Sequence, residues 1–176
     1  MEASPYYDPE PLFRNTKQET FTFTEMFSRI LNFIKEDSKT SYRIAIGTDS
    51  MVKTTTCFIT AVLVHRVGKG AIAFLKKVII PRPIHSLREK ISTEITFTQE
   101  IAYMFTPERI DQIYEAVLTA DETNHLDLEI HIDIGSQGPT KELIKEMVGR
   151  VSGMGFDVKI KPYSTAASSL ANRYTK

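Results

Sequence analysis

Between Tyr42 and Ile80 three strand-type runs follow one another with no helical period between them, and beyond Pro83 each strand-type run is separated from the next by a helical one. Tyr42-Arg43-Ile44-Ala45-Ile46-Gly47 alternates as a strand, Cys57 to Val67 is a β-branched run that ends in Gly68-Lys69-Gly70, and Ala71 to Ile80 is the third. Strands joined this closely pair antiparallel, so the three make a meander. Pro81 and Pro83 break the chain before a helix over about 86–105, and Thr106-Pro107-Glu108 starts another with its cap and first-turn proline. Leu126, Leu128, Ile130, Ile132 and Ile134 alternate with Asp127, Glu129, His131 and Asp133 as a fourth strand. Thr140 caps a helix striped by Leu143, Ile144, Met147, Val148 and Val151, Phe156 to Ile160 is a short fifth strand, and Ser164 caps a terminal helix. Right-handed crossovers place the fourth and fifth strands parallel to the first. The expected fold is α/β: a mixed five-stranded sheet, the three-strand antiparallel meander plus two parallel strands, with helices on both faces.

Ahead of the meander, Thr22-Phe23-Thr24-Glu25 has capping-box spacing and Phe27, Ile30, Leu31 and Ile34 recur at helical intervals, which predicts a helix over about 24–37. Residues 1–20, broken by Pro5, Pro9 and Pro11, read as an extended arm that docks back through Tyr6, Tyr7 and Phe13. Residues 21–176 read as a single domain, since 176 residues at 41% hydrophobic composition suffice for one core and are cramped for two. No basic segment leads into an apolar run at the N-terminus, no stretch approaches a membrane span, and Cys57 is the only cysteine, so a reducing cytoplasm is the expected location. Twenty-two basic and 22 acidic side chains give zero net charge, which argues against nucleic-acid binding by bulk electrostatics. The charges are nevertheless segregated, with an acidic stretch from Glu100 to Asp133 between basic flanks.

Glu94 breaks the rule that a core stripe holds no charge. At about 100° per residue, Leu87, Thr98, Ile101 and Phe105 fall on its side of the helix while Glu89 and Glu100 point away. Burying an unpaired carboxylate costs several kcal/mol, so Glu94 either has a cation to neutralise it or lies at the edge of the core. In one reading that cation is Arg88, Lys90 or Arg173 at the core margin; in the other it is a metal ion. Asp49 follows the first strand in Ile46-Gly47-Thr48-Asp49-Ser50 and Asp133 lies at the last turn of the fourth, so neighbouring strands bring both to the end of the sheet that Glu94 overlies. Both aspartates also suit plain turns. Three acids together repel one another unless cations intervene, and hard oxygen ligands suit Mg²⁺ or Mn²⁺. Asp49 as a bridge, with Glu94 and Asp133 holding one ion each, is the inventory of two-metal phosphodiester hydrolysis.

Ile46-Gly47-Thr48-Asp49-Ser50, His85-Ser86-Leu87-Arg88-Glu89-Lys90 leading to Glu94, His131-Ile132-Asp133-Ile134-Gly135, and Gly153 through Lys161-Pro162-Tyr163-Ser164 to Arg173-Tyr174-Thr175-Lys176 resemble the bacterial YkuK-type family of ribonuclease-H-like proteins. The resemblance covers about 24–176 and implies the ribonuclease-H-like sheet and a nuclease role. It also implies a fourth metal ligand on the last helix, often Asp, where this chain has Asn172. Asparagine offers a neutral oxygen and lowers the charge of the site. Candidate contacts to RNA or DNA are His85, Arg88, Lys141, Lys161 and Arg173, with Lys145 and Lys159 beside them. Gly135-Ser136-Gln137-Gly138 before a helix start is either a phosphate-binding loop or a plain connection, and His85 and His131 are either reactive or structural. The first functional expectation is therefore a Mg²⁺- or Mn²⁺-dependent nuclease. The alternative is a non-catalytic ribonuclease-H-like module that binds nucleic acid or a protein, which Asn172 and the zero net charge favour. A nucleotide-binding fold of the actin and sugar-kinase type normally needs two such domains.

Overall fold

The meander forms the centre of the sheet. The computed structural model describes residues 5–119, 121, 123–135, 138, 141–164, 170, 171, 173 and 174. Its strands are β1 (Phe13–Asn15), β2 (Thr20–Phe21), β3 (Tyr42–Val52), β4 (Thr56–Arg66), β5 (Gly70–Ile80), β6 (Leu126–Ile132) and β7 (Asp157–Ile160). Its helices are α1 (Phe23–Glu36), α2 (Leu87–Met104), α3 (Pro107–Leu118) and α4 (Lys141–Val151). The strands lie in the order β2-β1-β5-β4-β3-β6-β7, with β3 antiparallel to β4, β4 antiparallel to β5, and β6 parallel to both β3 and β7.

The sheet has seven strands, not five. The two additional strands come from the N-terminal segment read as an arm. Phe13 and Phe21 pair with each other, and Arg14 and Asn15 pair with Leu75 and Phe74 on the free edge of the meander. An open edge with unpaired amides and carbonyls is a template for such an addition. Phe13 is fully buried and Phe21 packs edge-on against Phe74, so the short strands are held by aromatic burial as well as by the ladder.

Alternation along the strands divides the sheet into two faces. Ile44, Ile46, Val62, Val64, Phe74, Leu128 and Ile130 share one core with the buried stripes of α1, α2, α3 and α4. Ala45, Ile59, Ala61 and Leu75 face the other way, against Ala171, Leu170 and Tyr174 of the terminal segment. Helical residues thus lie on both faces. The capping box expected at Thr22 and Glu25 is present in full, and Ser86 caps α2 through the Glu89 N–H. The caps expected from Thr140 and the turn through Ser136, Gln137 and Pro139 lie outside the described residues, as does most of the terminal helix. No described helix is long and apolar enough to cross a membrane.

Candidate metal centre at the end of the sheet

Strand β3 runs five residues beyond Gly47, so Asp49 lies within the strand, paired with Ile59, and not in a loop after it. Thr48 and Ser50, its neighbours, face α2. The Thr48 hydroxyl lies 2.9 Å from that of Thr60 and 2.8 Å from that of Thr98, and Thr98 donates to the Glu94 carbonyl at 3.0 Å. One turn earlier on α2, Glu94 accepts a 2.6 Å bond from the Ser50 hydroxyl. Two residues of strand advance about 6.6 Å and four of helix about 6 Å, so the two contacts form matched rungs between β3 and α2. Glu94 is 5% exposed, which places it inside the core as the helical period requires.

Asp49 leaves β3 on the opposite face. The last ladder pairs on that side are Gly47 with His131 and His131 with Lys159. Extending both registers by two residues brings Asp49, Asp133 and Lys161 into one row across the carboxyl ends of β3, β6 and β7. The observed contacts agree: the Lys161 N–H donates to the Ile134 carbonyl at 3.1 Å, and Lys161 Nζ lies 2.6 Å from Asp133 Oδ1. Asp49 is nearly buried, and Asp133 is partly open.

The three carboxyls act on one another. Burial pushes the Glu94 carboxyl up to about 8, with the charges of Asp49 and Asp133 adding to the rise against the Ser50 bond and Lys90. Burial also raises Asp49, and Asp133 raises it further, while the Ser50 N–H, Lys90 and Lys161 oppose the shift. The bond to Asp133 holds Lys161 above the usual lysine range, helped by Asp49 and Glu94. Three acids thus face two lysines in a poorly solvated corner, and the acids are the excess.

Donor chemistry in this corner fits a hard divalent cation: carboxylate oxygens, no sulfur, and a lysine ammonium already standing where positive charge is needed. The side chains are not gathered into a cage, however. Among the described residues no three His, Cys, Asp or Glu side chains converge as a ready-made metal site. Glu94 is turned to Ser50 through Oε1 on one face of the sheet, and Asp133 to Lys161 through Oδ1 on the other. Asn172 lies outside the described residues.

A second polar group occupies the same strand. Glu129 and His131 are 6% and 2% exposed. His131 Nε2 lies 2.7 Å from Glu129 Oε2, and Arg43 Nε lies 3.2 Å from Glu129 Oε1. With Lys159 and Tyr163 they line a cavity of about 570 Å³. His131 is therefore part of a carboxylate-bonded group. Alternation in β6 put Glu129 and His131 on one face, but only the cover over that face makes them buried.

The remaining basic candidates are dispersed. Arg88 is ion-paired with Glu146 across α2 and α4. His85 is exposed just ahead of α2, Lys141 is exposed at the start of α4, and Arg173 is exposed near Ala171. Of the five, Lys161 alone touches one of the three acids in the contacts observed. The sequence reading missed that contact and the role of Ser50; the Asp133–Lys161 register across the two parallel strands was the available signal.

A ribonuclease H-like family model matches residues 25–176. The chain is also 46% identical, over 167 residues covering 94% of it and 97% of the relative, to the uncharacterized protein YkuK of Bacillus subtilis (strain 168). No solved structure matches the chain.

Proposed function

Because the chain belongs to the ribonuclease H-like family, we propose that it is a Mg²⁺- or Mn²⁺-dependent nuclease that hydrolyses phosphodiester bonds of RNA or DNA. The observation that carries this reading is the coupling of three carboxyl groups, Asp49, Glu94 and Asp133, from a strand, a helix and a strand end, with Asp49 and Glu94 raised by burial and by neighbouring acids of the set. Divalent ions bound there would activate water and stabilise the leaving oxygen of the phosphodiester. Asp49, Glu94 and Asp133 would hold the ions, with Asn172 as the candidate neutral fourth ligand. Glu94 carries its proton at neutral pH until a cation replaces it, so loading releases protons. Ser50 and the Thr48–Thr98 contact keep α2 in register and fix where the Glu94 carboxyl sits.

The test is metal-dependent cleavage of a labelled panel of single- and double-stranded RNA and DNA by the wild type and Asp49→Asn. Activity that needs Mg²⁺ or Mn²⁺ and disappears in the variant supports the reading; equal activity in the two proteins refutes it. The ion pair that already occupies Asp133 favours one competing reading, a non-catalytic ribonuclease-H-like module. It predicts oligonucleotide binding without cleavage and without sensitivity to Asp49→Asn.

A further inference from the structure

We infer that Lys161 is a resident counter-ion of Asp133 that changes partner on metal loading, passing from the carboxylate to a phosphate of the bound nucleic acid. The inference rests on the metal-site reading above and assigns to one side chain both the resting state of the site and a substrate contact.

The backbone of Lys161 is fixed at the end of β7 by its bond to Ile134, but the side chain is 56% exposed, so the ammonium is tethered at one end and free to swing at the other. An ion pair this exposed contributes little to stability, which leaves its position unexplained as a structural device. The position is explained by charge. In the absence of metal, Lys161 is the cation that touches Asp133, and Asp49 and Glu94 also act on it. Lys161 holds Oδ1 of Asp133, so a divalent ion bound to the same carboxylate would compete with the ammonium for its charge. Once the acids are neutralised by metal, the ammonium loses its anionic partner, and the nearest excess negative charge is the phosphate that the same acids and ions bind. Lysine suits this exchange because its ammonium is a compact charge with three donors on a flexible stem, whereas a guanidinium forks onto a carboxylate and holds it.

Calorimetric titration of the full chain with Mn²⁺ tests the first half. Lys161→Gln should bind Mn²⁺ about 3- to 10-fold more tightly than the wild type, the scale of removing one partly exposed competing ion pair and its charge. Lys161→Arg, which keeps the charge, should stay close to or below the wild-type affinity. Fluorescence anisotropy of a labelled 12-mer single strand tests the second half. With Ca²⁺ present, Lys161→Gln should lose several-fold in oligonucleotide affinity; with chelator, the two proteins should bind equally, because Lys161 is then held by Asp133. Unchanged or weaker Mn²⁺ binding by Lys161→Gln would overturn the counter-ion role. An equal loss of oligonucleotide affinity with and without Ca²⁺ would overturn the exchange and leave a plain phosphate contact. Mn²⁺ binding by Lys161→Gln alone would make Lys161 the permanent cation of a metal-free site, which also overturns it. If neither protein binds Mn²⁺, the metal-site reading itself fails, and the inference with it.

Discussion

Glu129 in β6 and Asp133 just past its end are carboxylates in opposite circumstances. Glu129, within the strand, is buried with the Arg43 guanidinium 3.2 Å from one of its oxygens and the His131 ring 2.7 Å from the other. Asp133, just past the strand end, belongs with Asp49 and Glu94 to a set in which acids outnumber the neighbouring lysines. Burial alone does not separate a structural acid from a functional one, since Glu129 and Glu94 are almost equally hidden. The balance of counter-charge separates them. Glu129 has an arginine and a ring nitrogen at its oxygens, whereas in the other group burial keeps a proton on Glu94 that an added cation could replace.

That contrast can be broken by mutation. The largest effect is expected at the surplus group: Asp49→Asn should lower cleavage by on the order of 10³-fold, about 4 kcal/mol of transition-state stabilisation, with Mn²⁺ affinity falling in parallel and thermal stability held or raised. Next, Glu129→Ala leaves the buried His131 ring without its carboxylate and should cost about 1–2 kcal/mol in urea unfolding, while Mn²⁺ affinity stays at the wild-type value. Loss of metal binding by Glu129→Ala would show that the two groups are one and end the distinction. The third effect is spread over pH and is small at any single step. A carboxyl raised from its ordinary 4.5 to about 8 keeps a proton in the folded chain that the unfolded chain has lost. Its contribution to stability therefore falls as pH rises through that window, by at most about 1.4 kcal/mol per pH unit. Glu94→Gln removes this dependence, so in chelator its advantage over the wild type should widen between pH 5 and pH 8.5. Parallel stability curves would mean that Glu94 is ionised in the folded protein at neutral pH.

Much of this architecture was legible because it rests on local rules. The turn at Gly68-Lys69-Gly70, the capping box at Thr22 and the helical period through Glu94 each fix one element, and right-handed crossover supplies the parallel order β3-β6-β7. The β1 and β2 strands were not legible: three and two residues long among prolines, they carry no period, and only the open edge of β5 defines them. Strand order for Asp49 and Asp133, and the helical period for Glu94, direct the three acids toward one end of the sheet. Their division between the two faces was not foreseen, because it depends on β3 continuing past Gly47 so that alternation sends Ser50 to α2 and Asp49 away from it. Lys161 was read as one of several surface cations, since its contact with Asp133 arises from register between strands far apart in the chain.

The metal reading requires that the carboxyl groups of Asp49, Glu94 and Asp133, one of which keeps its proton at neutral pH, converge on a divalent ion. A crystal structure of the wild type soaked in Mn²⁺, with anomalous scattering to locate the ion, addresses it directly. The account predicts Mn²⁺ density in contact with Asp49 and Asp133, Glu94 turned from Ser50 toward the ion, and Lys161 withdrawn from Asp133. Anomalous maps empty at this corner under saturating Mn²⁺, with Lys161 still bonded to Asp133, would contradict it.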